Sequence, residues 1–154
     1  MLRLLTPVLL AALAVSAADL PSKKYLDTAA VKTMAAAAES EAQKRGVHVT
    51  ICIMDESANL LFLLKDDQAS LTTIQFAQRK AKQAALYRAP SKNAADALAK
   101  GNLQILVFPD SFPNQGGVPI IVDGHTIGAI ACSGAASEVD EAIAQFAVDT
   151  LLKK

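Results

Sequence analysis

The spacing of apolar positions changes several times along the chain. Val31, Met34, Ala38 and Ala42 recur at helical intervals, with Asp27 or Thr28 placed to cap the start and Gly46 to supply a left-handed end. Val47–Ile53 alternates β-branched residues with others, Asp55–Asn59 reads as a turn, and Leu60–Leu64 returns as a second strand. Ser70 can cap a longer helix from Leu71 to about Tyr87, whose stripe is Leu71, Ile74, Ala77, Ala81 and Ala84. Pro90 stops that helix, and Ser91 can cap a short one ending at Gly101. Leu103–Phe108 is a third strand candidate, and Pro109–Gln115 is a loop. Val118–Val122 and Thr126–Cys132 flank Asp123-Gly124, a pair suited to the positive φ angles of a type I′ hairpin turn. Ser137-Glu138-Val139-Asp140 resembles a capping box and opens a last helix that buries Val139, Ile143, Phe146, Ala147 and Thr150 or Leu151.

The element order is therefore α-β-β-α-α-β-β-β-α. Short antiparallel connections with helices between them predict one five-stranded antiparallel sheet carrying helices, an α+β sandwich in a single domain over residues 18–154. The first residues lie outside that pattern. Arg3, the apolar run Leu4–Ala14 and the small residues Val15-Ser16-Ala17 read as a secretory signal over residues 1–17. The run is shorter than the roughly 20 residues of a membrane span. A secreted or periplasmic protein follows, with no stable membrane span after cleavage.

Composition narrows the partners. The 154-residue chain is 52% hydrophobic and balances 15 basic against 15 acidic residues; loss of the leader removes Arg3 and no acid. A near-neutral chain with little aromatic content offers no electrostatic footprint for nucleic acid. Export changes the meaning of Cys52 and Cys132, the only two cysteines: in an oxidising compartment they are candidates for one disulfide, the other reading being two small buried hydrophobes.

Nucleophile-elbow, zinc-protease, Cys-x-x-Cys and phosphate-loop patterns are all missing. Only His48 and His125 could supply imidazole to a metal. Lys80 falls at the border of its helix's apolar stripe, so it either snorkels along the core edge or presents an ammonium to an anionic ligand. The segment Asn114–Ala135 holds five of the seven glycines, and Gly116-Gly117 before Val118-Pro119 lets a ligand or another chain approach the backbone, unless it is a plain loop-to-strand transition.

Taken in order, Asp55-x-x-x-Asn59-Leu60, Ala77-x-x-Lys80-Ala81-x-x-Ala84, Gly116-Gly117-Val118-Pro119, Gly124-x-x-x-Gly128, Ser133-Gly134-Ala135 and Asp140 resemble the GlcG/HbpS family of haem-binding or haem-degrading proteins. They also resemble the C-terminal domain of PduO-type proteins. The resemblance runs from about Leu26 to Leu152. It implies a profilin-like α-β-α sandwich, assembly into homo-oligomers from dimers to octamers, and haem as cofactor in some members. Lys80, Ser91, Gly116, Gly117, Ser133 and Gly134 would border the pocket, with Ser91 or a histidine on the iron side. Departures include Ala58 where glycine is usual, Ser91 where threonine is common, and Cys132, whose pairing with Cys52 would be particular to this lineage. The leading expectation is an exported haem- or small-ligand-binding protein with redox sensing or slow haem degradation. The alternatives are an enzyme or binder for a small organic acid, anchored by Lys80, and an assembly module without catalysis.

Overall fold

The computed structural model describes residues 19–153, so the leader expected over residues 1–17 lies outside the described residues. Helix α1 (Thr28–Arg45) starts where Asp27 accepts the Ala30 N–H at 2.7 Å and ends at Gly46 with φ of 66°. Strands β1 (Thr50–Asp55) and β2 (Leu60–Lys65) form the first hairpin, followed by α2 (Thr73–Tyr87) and α3 (Lys92–Ala99). Strands β3 (Gly117–Val122) and β4 (His125–Ser133) form the second hairpin, and α4 (Ser137–Leu152) closes the chain. Asp123 and Gly124 both take positive φ, 50° and 76°, as a type I′ turn requires.

The sheet has four strands, not five, in the order β2-β1-β4-β3, and every pairing is antiparallel. The expected strand at Leu103–Phe108 is instead a 3-10 helix, Leu103–Val107, whose start is capped by Asn102 accepting from Gln104 N. Five apolar residues in six lack the alternation that separates a strand from a helix, and the run begins four residues after α3 ends. It buries none of its residues. Pro119 lies on β3, an edge strand, where its missing N–H costs no ladder bond to a further strand.

Alternation along the strands builds two unlike faces. Ile51, Ile53, Val118, Ile120, Ile130 and Cys132 point into a thick core with Met34 and Ala38 of α1 and Ile143 and Ala147 of α4. Cys52, Met54, Ala129 and Ala131 point the other way, against Ala77, Ala81, Ala84 and Ala85 of α2. Alanine on alanine brings α2 close to the sheet. The disulfide expectation fails on the same geometry: Cys52 stands opposite Ala131 and Cys132 opposite Ile51, so the two side chains leave opposite faces, and both are free and buried. Burial pushes the Cys52 thiol up to about 12, and it raises the Cys132 thiol further.

Candidate functional site

Six expected site residues meet where α2 crosses the β3–β4 end of the sheet. Lys80 is not on the rim; it is 2% exposed, and its Nζ donates to Asp140 Oδ2 at 2.8 Å and to the Cys132 carbonyl at 3.2 Å. Asp140, 1% exposed, uses its other oxygen to accept Ala135 N at 3.0 Å. The expected capping box does not form: α4 has Ala136 at its N-cap without a side-chain bond, and Asp140 reaches back to Ala135 N instead of Ser137 N. An unpaired charge here would be costly, so each group is held by the other.

What approaches the glycine pair is α2. A Cβ on Gly116 would lie 2.8 Å from Lys80 Nζ and 2.9 Å from the Cys132 carbonyl, and φ there is 130°. A Cβ on Gly117 would overlap the Lys80 carbonyl. Ser91 sits at the cap position of α3, but its hydroxyl does not cap that helix. Its Oγ accepts Gly117 N at 2.8 Å, while Ser91 N donates to Gly117 O at 2.9 Å. Ser70 likewise gives no side-chain cap to α2; its hydroxyl pairs with Thr72 Oγ1 at 3.1 Å. Ser133 and Gly134 end β4 and open onto a cleft of about 260 Å³, which Lys80 and Asp140 back and Thr72, Phe76 and Asn114 also line.

The histidines lie at opposite ends of the sheet. His48, just before β1, holds Asp66 through Nδ1 at 3.0 Å. His125 opens β4, and its Nδ1 lies 2.9 Å from the Asp123 carbonyl. A carbonyl can only accept, so Nδ1 is the donor of that pair and Nε2 is the nitrogen left for a ligand. No cluster of three or more metal-ligating side chains occurs among the described residues.

His125 borders the larger cleft, about 520 Å³, between the second hairpin and the segment before α1. Lys23, Lys24 and Arg88 share it with Glu56, Asp123 and the apolar Ile127. Lys23 pairs with Glu56 and Lys24 with Asp123, and these contacts lower both carboxyls. Arg88, in the left-handed conformation at the end of α2 with φ of 55°, has no ion-pair partner among the described residues. Sequence reading passed over this cationic rim. The adjacent lysines and an arginine two residues before Pro90 were its signal, but their convergence is purely tertiary.

The Asp55-x-x-x-Asn59 motif has a structural role. Burial raises the Asp55 carboxyl, but bonds from the Asn59 side chain and from Asn59 N and Ser57 N outweigh it and hold the group low. They fix the β1–β2 turn.

Residues 26–149 match the family described as haem degrading protein HbpS-like. The chain belongs to the HbpS-like family. Protein GlcG of Escherichia coli is 32% identical over 112 residues, 73% of this chain and 84% of that one. An uncharacterised 15.0 kDa protein from the dhaT-dhaS intergenic region of Citrobacter freundii is 32% identical over 125 residues, 79% of this chain and 88% of its own. Crystallised HbpS superimposes with a TM-score of 0.79 at 29% identity, covering 92% of this chain and all of its own. The haem complex of PduOC shares the fold, with a TM-score of 0.76 at 24% identity over 82% of this chain and 95% of that one. This family therefore carries the α-β-α sandwich seen here.

Proposed function

We propose that this protein binds haem in the larger cleft, with His125 toward the iron and Arg88, the cation there without an ion-pair partner among the described residues, toward a propionate. The observation that carries the reading is the His125 ring, whose Nδ1 is engaged by the Asp123 carbonyl so that Nε2 is the nitrogen left for a ligand, in a cleft shared with Arg88. Size favours the same place. The cleft of about 520 Å³ falls within the ~300–1,000 Å³ typical of small-molecule sites, whereas the 260 Å³ cleft at Lys80 falls below it. Lys80 is also neutralised by Asp140, which removes the ammonium expected to meet a propionate. When bound, haem supplies the redox chemistry, and the chain supplies a ligand, a counter-charge and orientation. Haem degradation is the role in keeping with the family description, and redox sensing is the alternative use of the same bound group.

Titration of the mature protein with equimolar haemin tests the site. A shifted Soret band that His125→Ala abolishes and His48→Ala retains is the expected result. A spectrum identical to free haemin sinks the haem reading, and an unchanged band in His125→Ala sinks the placement.

Export and self-association belong to the same proposal. The N-terminal pattern supports export, to be checked by the mature N-terminus of the protein recovered from the producing cell. Association is supported by Leu103, Leu106 and Val107, which are 68%, 55% and 77% exposed on the 3-10 helix. Sedimentation should show an oligomer that Leu106→Glu splits; a wild-type monomer at all concentrations would remove it.

A further inference from the structure

A second ligand site emerges at the opposite end of β4. Helices α2 and α4 both begin at the 260 Å³ cleft, and neither start is capped by a side chain. The positive ends of two helix dipoles therefore face one small space, although Thr73 N is already bonded to Ser70 O and Val139 N to Ala136 O. Two buried groups in the wall make the same demand independently. Ser133 is 5% exposed, lines the cleft, and its hydroxyl has no hydrogen-bond partner among the described residues. Lys80 carries three N–H donors, of which Asp140 and the Cys132 carbonyl use two.

We infer that this cleft binds a small oxyanion, a carboxylate or a phosphate, held by Ser133, the spare Lys80 proton and the two helix starts. Because Lys80 and Asp140 cancel, the attraction comes from dipoles and hydrogen bonds and not from net charge. Glu138, exposed on the first turn of α4, is the one further carboxylate on these helix starts; it opposes a highly charged ligand and favours a singly charged one. The volume suits a few heavy atoms. Asn114, from the loop before β3, adds an amide at the rim.

The separation from His125 makes the site testable by itself. Ser133 and His125 are the two ends of one nine-residue strand, roughly 26 Å apart at β-strand rise. Melting curves of the haem-free protein would be compared in sodium acetate, in sodium phosphate and in chloride at matched ionic strength. Acetate or phosphate should raise Tm saturably at millimolar concentration by about 3 °C over chloride. A rise with acetate alone identifies a carboxylate site, and one with phosphate alone a tetrahedral one. Ser133→Ala should fold about as stably in chloride, because its hydroxyl faces the cleft and bonds no protein group among the described residues, yet lose the anion-dependent rise. Asn114→Ala, in a loop, should weaken the rise at least threefold in half-saturating concentration. His125→Ala should keep the full rise, which separates failure of this site from failure of the haem reading. Equal melting in all three salts, or an undiminished rise in Ser133→Ala, overturns the inference.

Discussion

The two ends of β4 hold charge in opposite ways. At the His125 end the charges lie on the surface, Lys23 with Glu56 and Lys24 with Asp123, and Arg88 stands without an ion-pair partner. At the Ser133 end Lys80 and Asp140 are both nearly sealed from water, and three elements meet on them. Exposed pairs contribute little to stability, whereas a buried pair must stay complete. The first end is thus free to serve a ligand at little risk to the fold. At the second end, binding and stability share residues.

The strongest blow to this contrast would come from Asp140→Ala. It strands the Lys80 ammonium in the core and should cost about 3–5 kcal/mol in urea unfolding. Joint replacement, Lys80→Met with Asp140→Leu, should recover most of that loss. If Asp140→Ala is as stable as wild type, the buried pair does not hold this end together. Gly117→Ala comes next, at about 1–3 kcal/mol, since its Cβ must displace the α2 backbone at Lys80. Ser91→Ala removes the acceptor of a buried N–H and should cost roughly 1–2 kcal/mol by the same measurement.

The His125 end should barely register. His125→Ala is expected within about 0.5 kcal/mol of wild type, and a larger loss would mean that this end too is structural. Acid sharpens the point. The Lys23 contact lowers the Glu56 carboxyl from its ordinary 4.5 and the Lys24 contact lowers that of Asp123 from 3.8. A lowered carboxyl stabilises the fold above its unfolded value, and that contribution fades as pH falls through the folded one. The urea midpoint should therefore be level from pH 7 to about 5 and decline below. Glu56→Gln with Asp123→Asn should flatten part of the decline.

How much of this could be read from the chain depends on the distance between partners. Asp27, Gly46 and Asp123-Gly124 announce their roles because cap and turn chemistry is settled within a few residues. Leu103–Val107 does not, because an unbroken apolar run fits strand and helix alike and the deciding packing lies elsewhere. Lys80 reads as a border residue of its stripe, yet it is buried, and the partner that makes this possible lies 60 residues away on α4. Ser91 had every local mark of a cap, and a glycine 26 residues on took its hydroxyl instead. The glycine pair pointed to a close approach, and nothing in the sequence said that the visitor would be α2.

The placement of the cysteines has a wider consequence. A sheet that separates Cys52 from Cys132 leaves the native state without a covalent cross-link between them, so a reductant has no bond between these two to break. Both thiols are buried, and burial raises their pKa, which keeps them in the less reactive thiol form.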